Sequence, residues 1–253
     1  MTFYYISILF SLFEFQEVGG LSSLVQARAA LPICPVCAAL NPSLILYQEG
    51  SGINFTYTNP YGLGELRYLK GAGTLKRLRL GLSLSSLYRP GYGEYIFSLG
   101  KGFSLLTSFS FGTLLSLYYF SISGYEKDFF FSLTPSLSFK REEFLFSLVL
   151  LNLNQPQTGY GEEMPLTILL GVKSHFLRWA DFYFDYEREK EERMRLGLKL
   201  SEGNFYLGTG LQTMPLLFTG GFGFTLSKVE MAYSLKIHPR LKESHIINLG
   251  IRL

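Results

Sequence analysis

Residues 192–201 read Glu-Arg-Met-Arg-Leu-Gly-Leu-Lys-Leu-Ser. In an extended chain Met194, Leu196, Leu198 and Leu200 fall on one face, and Arg193, Arg195, Gly197, Lys199 and Ser201 fall on the other. Strict period-two alternation of this kind marks a strand with one apolar and one polar side. The pattern returns along the chain. In 76–88, Leu78, Leu80, Leu82 and Leu84 oppose Arg77, Arg79, Gly81 and Ser83; in 126–139, Phe129, Phe131, Leu133 and Leu137 oppose Asp128, Ser132, Thr134 and Ser136. In 177–187 the opposed sets are Phe182, Phe184, Tyr186 and Asp181, Tyr183, Asp185; in 228–238 they are Val229, Met231, Tyr233, Leu235 and Lys228, Glu230, Ala232, Ser234.

Composition says which face meets what. The 253 residues are 47% hydrophobic and 16% aromatic, but only 17% charged; a soluble domain carries about 25% charged residues. After the first few residues no apolar run approaches the ~18 residues that a membrane helix requires. Apolar content spread over alternate positions fits a barrel that turns its apolar face to lipid. The expected fold is all-β: an antiparallel up-and-down transmembrane barrel of about fourteen strands over 52–253, in the bacterial outer membrane. The expected strands include 76–88, 93–100, 102–121 and 126–139, with the second and third joined tightly at 101. Tight links alternate with longer ones, such as 152–165 and 239–243, as short periplasmic turns alternate with external loops. Pro135 falls inside a strand, where its missing N–H implies an edge or a bulge. The chain closes on alternating Ile247, Leu249, Ile251 and Leu253, similar to a barrel-assembly signal although it lacks a final aromatic residue.

Upstream of the strands, Phe3 to Phe13 is an apolar run of signal-peptide length, and Ala27-Arg28-Ala29 offers small residues for cleavage. No basic residue precedes the run. Residues 1–29 are therefore expected to be an atypical export signal, and 30–51 a segment held within the barrel.

Few residues invite chemistry. Cys34-Pro35-Val36-Cys37 lacks the βαβ setting of a redox CxxC and the further ligands of a zinc site, so Cys34 and Cys37 are expected to be a structural disulfide or two buried thiols. Ser244 and His245 adjoin, but neighbouring strand residues point to opposite faces and make a poor nucleophile–base pair. No enzyme activity and no cofactor are implied, and without a basic stripe or recognition motif neither is nucleic acid. The polar parity carries Arg77, Arg79, Asp181, Asp185, Arg193, Arg195, Lys199, Lys228, Glu230 and Lys236. On the lipid side each charge would cost roughly 2–4 kcal/mol at the midplane, so all are expected to face the lumen. They could tune a solute pathway or form a salt-bridged, plugged interior.

Three segments resemble the superfamily of outer-membrane long-chain fatty-acid transporters and the related shuttle protein of type IX secretion. Ala27 to Ala30 followed by Asn41-Pro42-Ser43-Leu44 is similar to that group's post-signal segment. Asn152-Leu153-Asn154-Gln155-Pro156 with Met164-Pro165 resembles its loop before a central strand, and His238-Pro239-Arg240-Leu241 with Ser244-His245 its last hairpin. The resemblance implies an internal plug containing Asn41 and Pro42, and a hydrophobic ligand that enters externally and leaves through a lateral opening. The expected function is transport of small or hydrophobic compounds. The alternative is a non-conducting barrel that docks a secretion or envelope protein. Outer-membrane lipid and the barrel-assembly machinery are the expected partners in either case.

Overall fold

The computed structural model describes residues 21–31, 40–124, 127–158, 161 and 163–253. Among them, fourteen strands form one closed antiparallel barrel in which each strand pairs with its neighbours in sequence and β1 closes on β14. The strands are β1 (Gly52–Asn59), β2 (Arg67–Leu75), β3 (Leu80–Arg89), β4 (Tyr92–Ser104), β5 (Phe109–Ile122), β6 (Lys127–Arg141), β7 (Phe144–Leu151), β8 (Thr167–Leu177), β9 (Ala180–Arg188), β10 (Glu192–Glu202), β11 (Phe205–Gln212), β12 (Leu217–Leu226), β13 (Val229–Ile237) and β14 (Ser244–Arg252).

Alternation decides which way each side chain points. In β1, Asn54, Thr56 and Thr58 are buried and Ile53, Phe55 and Tyr57 are exposed. Around the wall the inner face is built from small hydroxylic residues such as Ser83, Ser98, Ser116, Ser132, Thr134 and Ser138. The outer face carries Phe55, Leu84, Phe129, Phe131 and Phe146, all exposed. A continuous outer surface of this kind is suited to hydrocarbon, and closing β1 on β14 removes the sheet's two outermost free edges.

One rim carries Gly52, Leu253 and the turns 76–79, 105–108, 142–143, 178–179, 203–204 and 227–228. It is called the terminal rim here. The distal rim carries the connections 60–66, 90–91, 123–126, 152–166, 189–191, 213–216 and 238–243.

Two expected boundaries are corrected. First, β3 begins at Leu80, not at 76: Lys76–Leu78 forms a 3-10 turn and Arg79 takes a left-handed conformation at φ 55°. Arg77 and Arg79 are thus exposed on the terminal rim, outside the lumen, as is Lys228 in the 227–228 turn. Second, the β4–β5 turn lies at 105–108 and not at 101, so the over-long 102–121 segment divides between two strands. Residues 21–29 lie in the lumen with the plug, as a short helix α1 (Leu21–Val25) and buried Ala27 and Ala29. Residues 1–20 and the Cys34–Cys37 pair lie outside the described residues.

Candidate functional site

Two parts of the internal segment touch different sides of the wall. Helix α1 packs on β10 to β13, and the 3-10 helix Pro42–Tyr47 packs on β3 to β6. Leu24, Leu31, Leu44 and Ile45 are fully buried, each contributing about 1.5–3 kcal/mol. Wall glycines make room for this contact. A Cβ on Gly112 would overlap Ser43 N and the Pro42 carbonyl carbon, and one on Gly197 would overlap the Val25 carbonyl. Asn41 donates to Ala29 O at 2.7 Å, the Ser43 hydroxyl donates to Asn41 Oδ1 at 2.5 Å, and Ser136 Oγ accepts the Ser43 N–H at 3.2 Å. Asn41 and Pro42 therefore hold the plug's own turn against β5 and β6.

A charged clamp holds the other side. Asp185 accepts the backbone N–H groups of Arg28 and Ala29. Glu187 receives Arg195 Nη2 at 2.8 Å, Arg193 Nη1 at 2.9 Å and Arg28 Nη1 at 3.5 Å. Gln212 Oε1 accepts Arg195 Nε at 2.8 Å. Asp185, Arg193 and Arg195 thus converge on the plug around Glu187, with Asp185 and Arg195 fully buried. Arg28 and Glu187 are the members that sequence reasoning missed. Glu187 shares the parity of Asp181 and Asp185, and that parity was the available signal.

Nearer the terminal rim, Asp181 gathers Lys173 Nζ at 3.3 Å, His175 Nδ1 and the Tyr183 hydroxyl at 3.2 Å. Lys199 lies over the Tyr206 ring, 4.8 Å from its centroid, and the Tyr206 hydroxyl donates to Glu230 at 2.7 Å. Lys236 is half-buried on β13, away from both groups. Ser244 accepts the Tyr61 N–H, whereas His245 pairs with the Tyr233 hydroxyl; the two side chains have separate partners, and no nucleophile–base pair forms between them.

The wall itself has a seam. β6 has 15 residues and β7 only 8. Their ladder ends at Ser136↔Val149, so, among the described residues, 127–135 of β6 have no strand partner on that side. Leu153 and Asn154 of the following connection take the place of the missing strand. Asn154 Oδ1 accepts the Leu133 N–H at 2.8 Å, Asn154 Nδ2 donates to Phe131 O at 2.9 Å, and the Leu153 N–H donates to Leu133 O at 2.9 Å. The N–H of Leu133 points at the seam, and by period two so does the nitrogen of Pro135. Proline ends the ladder where a donor would otherwise be stranded.

Both sides of the seam region are apolar. Inside, buried Tyr118, Phe120 and Phe130 pack with Met164 from the connection, Tyr118 and Phe130 stacking at 4.9 Å. Outside, Phe129, Phe131 and Leu133 of the unpaired stretch are exposed, and a groove of about 480 Å³ lined by Leu137, Phe139, Phe146, Leu148, Leu170 and Phe184 lies farther toward the terminal rim, over the paired part of the β6–β7 ladder and β8–β9.

The fold is similar to those of solved structures named as hydrocarbon channels and transporters. The Ralstonia pickettii toluene transporter TbuX superposes with a TM-score of 0.73 at 10% identity, covering 96% of this chain and 100% of that one. The CymD monoaromatic hydrocarbon channel gives 0.69 at 12%, covering 93% and 97%. The P. putida toluene transporter TodX gives 0.63 at 9%, covering 93% and 98%. No family model matches the sequence, and no curated protein sequence matches it significantly. At such identities the likeness is one of fold.

Proposed function

We propose that this chain is an outer-membrane barrel that passes small hydrophobic compounds sideways through its wall, with the terminal rim in the periplasm. The observation that carries this function is the β6–β7 seam. Strand hydrogen bonds are replaced there by those of one loop, with Tyr118, Phe120, Phe130 and Met164 on the lumen side and Phe129, Phe131 and Leu133 on the outer side. An apolar solute crossing at that point replaces contacts between Met164 and Phe130 with contacts of its own and exposes little new hydrocarbon to water. The axial path is less favourable, because the plug packs on β3–β6 and β10–β13 and is tied to Asp185 by backbone hydrogen bonds. Solved barrels of the same fold are named as toluene and monoaromatic hydrocarbon channels, which favours transport over a partner-docking role. Lipid surrounds the barrel, and the assembly machinery of the outer membrane inserts it.

The test is uptake of a monoaromatic hydrocarbon by cells that carry the chain in place of their own hydrophobic-compound channels. Uptake above that of the channel-less strain is the expected result. A rate equal to the empty strain, with the barrel present and heat-modifiable in the membrane fraction, would refute it.

A further inference from the structure

On the terminal side of the plug lies a second cavity, of about 420 Å³, roofed by Tyr47, Gln48 and Glu49 and walled by β6, β8, β10 and β14. Its acids are already engaged. Asp181 takes Lys173, His175 and Tyr183, Glu230 takes the Tyr206 hydroxyl, and Glu49 faces Arg252 at 3.6 Å. Three of its five lysine and arginine side chains are not. Lys140, Lys199 and Arg178 line the same space, and among the described residues none has a carboxylate within ion-pair distance. Lys140 and Lys199 rest instead over tyrosine rings, Tyr47 at 5.7 Å and Tyr206 at 4.8 Å. An aromatic face holds the ammonium in place without neutralising it.

We propose that this cavity binds a phosphate-bearing anion, with Lys140, Lys199 and Arg178 as its cationic contacts. The lining carries five lysine and arginine side chains against Glu49, Asp181 and Glu230, so the concave space holds an excess of positive charge, and such a field concentrates counter-ions. Phosphate suits the arrangement because its oxygens accept from several separate donors at once, lysines as point charges and arginine as a fork. The volume exceeds that of a bare phosphate and falls in the range of small-molecule sites, about 300–1,000 Å³. The phosphate could arrive as a soluble ester or as a phospholipid headgroup of the leaflet at this rim; the site's chemistry is the same. The proposal is independent of lateral transport, since the seam lies at the distal half and this cavity opens at the terminal rim.

The chain's single tryptophan, Trp179, lines the cavity and supplies the readout. The full chain, folded in neutral detergent, is titrated with inorganic phosphate, glycerol phosphate and a short-chain phosphatidylglycerol, each against potassium chloride of equal ionic strength. We expect a saturable change in Trp179 emission with at least one phosphate probe, and half-saturation raised tenfold or more in both Lys199→Gln and Arg178→Gln. Each variant is first checked for heat-modifiable mobility, and Arg178, in a surface turn, serves if the Lys199 variant fails to fold. Saturation by the soluble probes identifies a soluble ester, and saturation by the phosphatidylglycerol alone identifies a headgroup. A response matched by chloride, or one unchanged in both folded variants, overturns the proposal.

Discussion

Asn154 holds Leu133 the way a neighbouring strand would: its Oδ1 accepts the Leu133 N–H at 2.8 Å, while its Nδ2 reaches Phe131 O at 2.9 Å. A side chain thus supplies two ladder hydrogen bonds at the only stretch where β6 lacks β7. Side-chain bonds break by rotation of one χ angle, whereas a strand must peel away several residues together. This is why the proposed lateral passage is placed at the seam.

Asn154→Ala removes both bonds and leaves the β6 edge facing hydrocarbon or loop. A lost hydrogen bond that strands its partner costs about 1–3 kcal/mol. Amide exchange at Leu133 is expected to accelerate by roughly tenfold or more, while amides in the β10–β11 ladder keep their protection. Residue-level hydrogen exchange in micelles checks this, and hydrocarbon uptake is expected to rise in the same variant.

Glu187 is the hub of the clamp, bound by Arg28, Arg193 and Arg195. Glu187→Ala leaves the fully buried Arg195 without its carboxylate, and an uncompensated buried charge costs about 3–5 kcal/mol. The expected result is a lower unfolding temperature and faster proteolysis within residues 21–31. Glu187→Asp, which keeps the charge, recovers part of both.

Gly112 and Gly197 test the plug's seating separately from its charges. In Gly112→Val the new side chain overlaps the backbone of Pro42 and Ser43, and in Gly197→Val that of Val25. The barrel ladder is untouched, so heat-modifiable mobility is retained. Displacement of the plug is expected to raise single-channel conductance in planar bilayers above that of the unaltered chain.

At the distal rim, His238 Nδ1 accepts the N–H groups of Arg240 and Leu241, both at 3.1 Å. Burial, with Lys236 and Arg240 nearby, pushes its pKa below the ordinary histidine value. The bonded form is neutral, so this contribution to loop order is complete above the unfolded pKa of about 6.5 and is lost as pH falls through the lowered folded value. NMR titration of His238 is expected to show a midpoint below 6.5 and a matching loss of protection at Leu241.

Much of the barrel was legible in alternation alone. The alternating stretch 192–201 lies within β10, Glu192–Glu202, and the expected strand 126–139 is β6, Lys127–Arg141. Alternation fails where a turn happens to alternate as well. Lys76-Arg77-Leu78-Arg79 continues the rhythm of β3 but turns through a left-handed Arg79, and Leu105-Leu106 hides the β4–β5 turn in an apolar stretch. The polar parity likewise groups lumen charges without saying which of them meet. Asp185, Arg193 and Arg195 meet at Glu187, while Lys199 and Asp181 belong to the terminal cavity. Pairing of that kind depends on strand register, and register comes from the whole closed sheet. Pro135 announced a break in the ladder, but only the lengths of β6 and β7 show how far the break extends.

Lateral passage is tested most directly by closing the seam with a bond. In a background of Cys34→Ser and Cys37→Ser, Leu133→Cys with Leu153→Cys places thiols on segments joined by the 2.9 Å Leu153 N–H to Leu133 O hydrogen bond. Hydrocarbon uptake is then compared in oxidised and reduced protein. Lateral passage predicts uptake abolished when the disulfide forms and restored by reductant, with neither single-cysteine variant responding. Uptake that is the same in the oxidised and reduced double variant would contradict it.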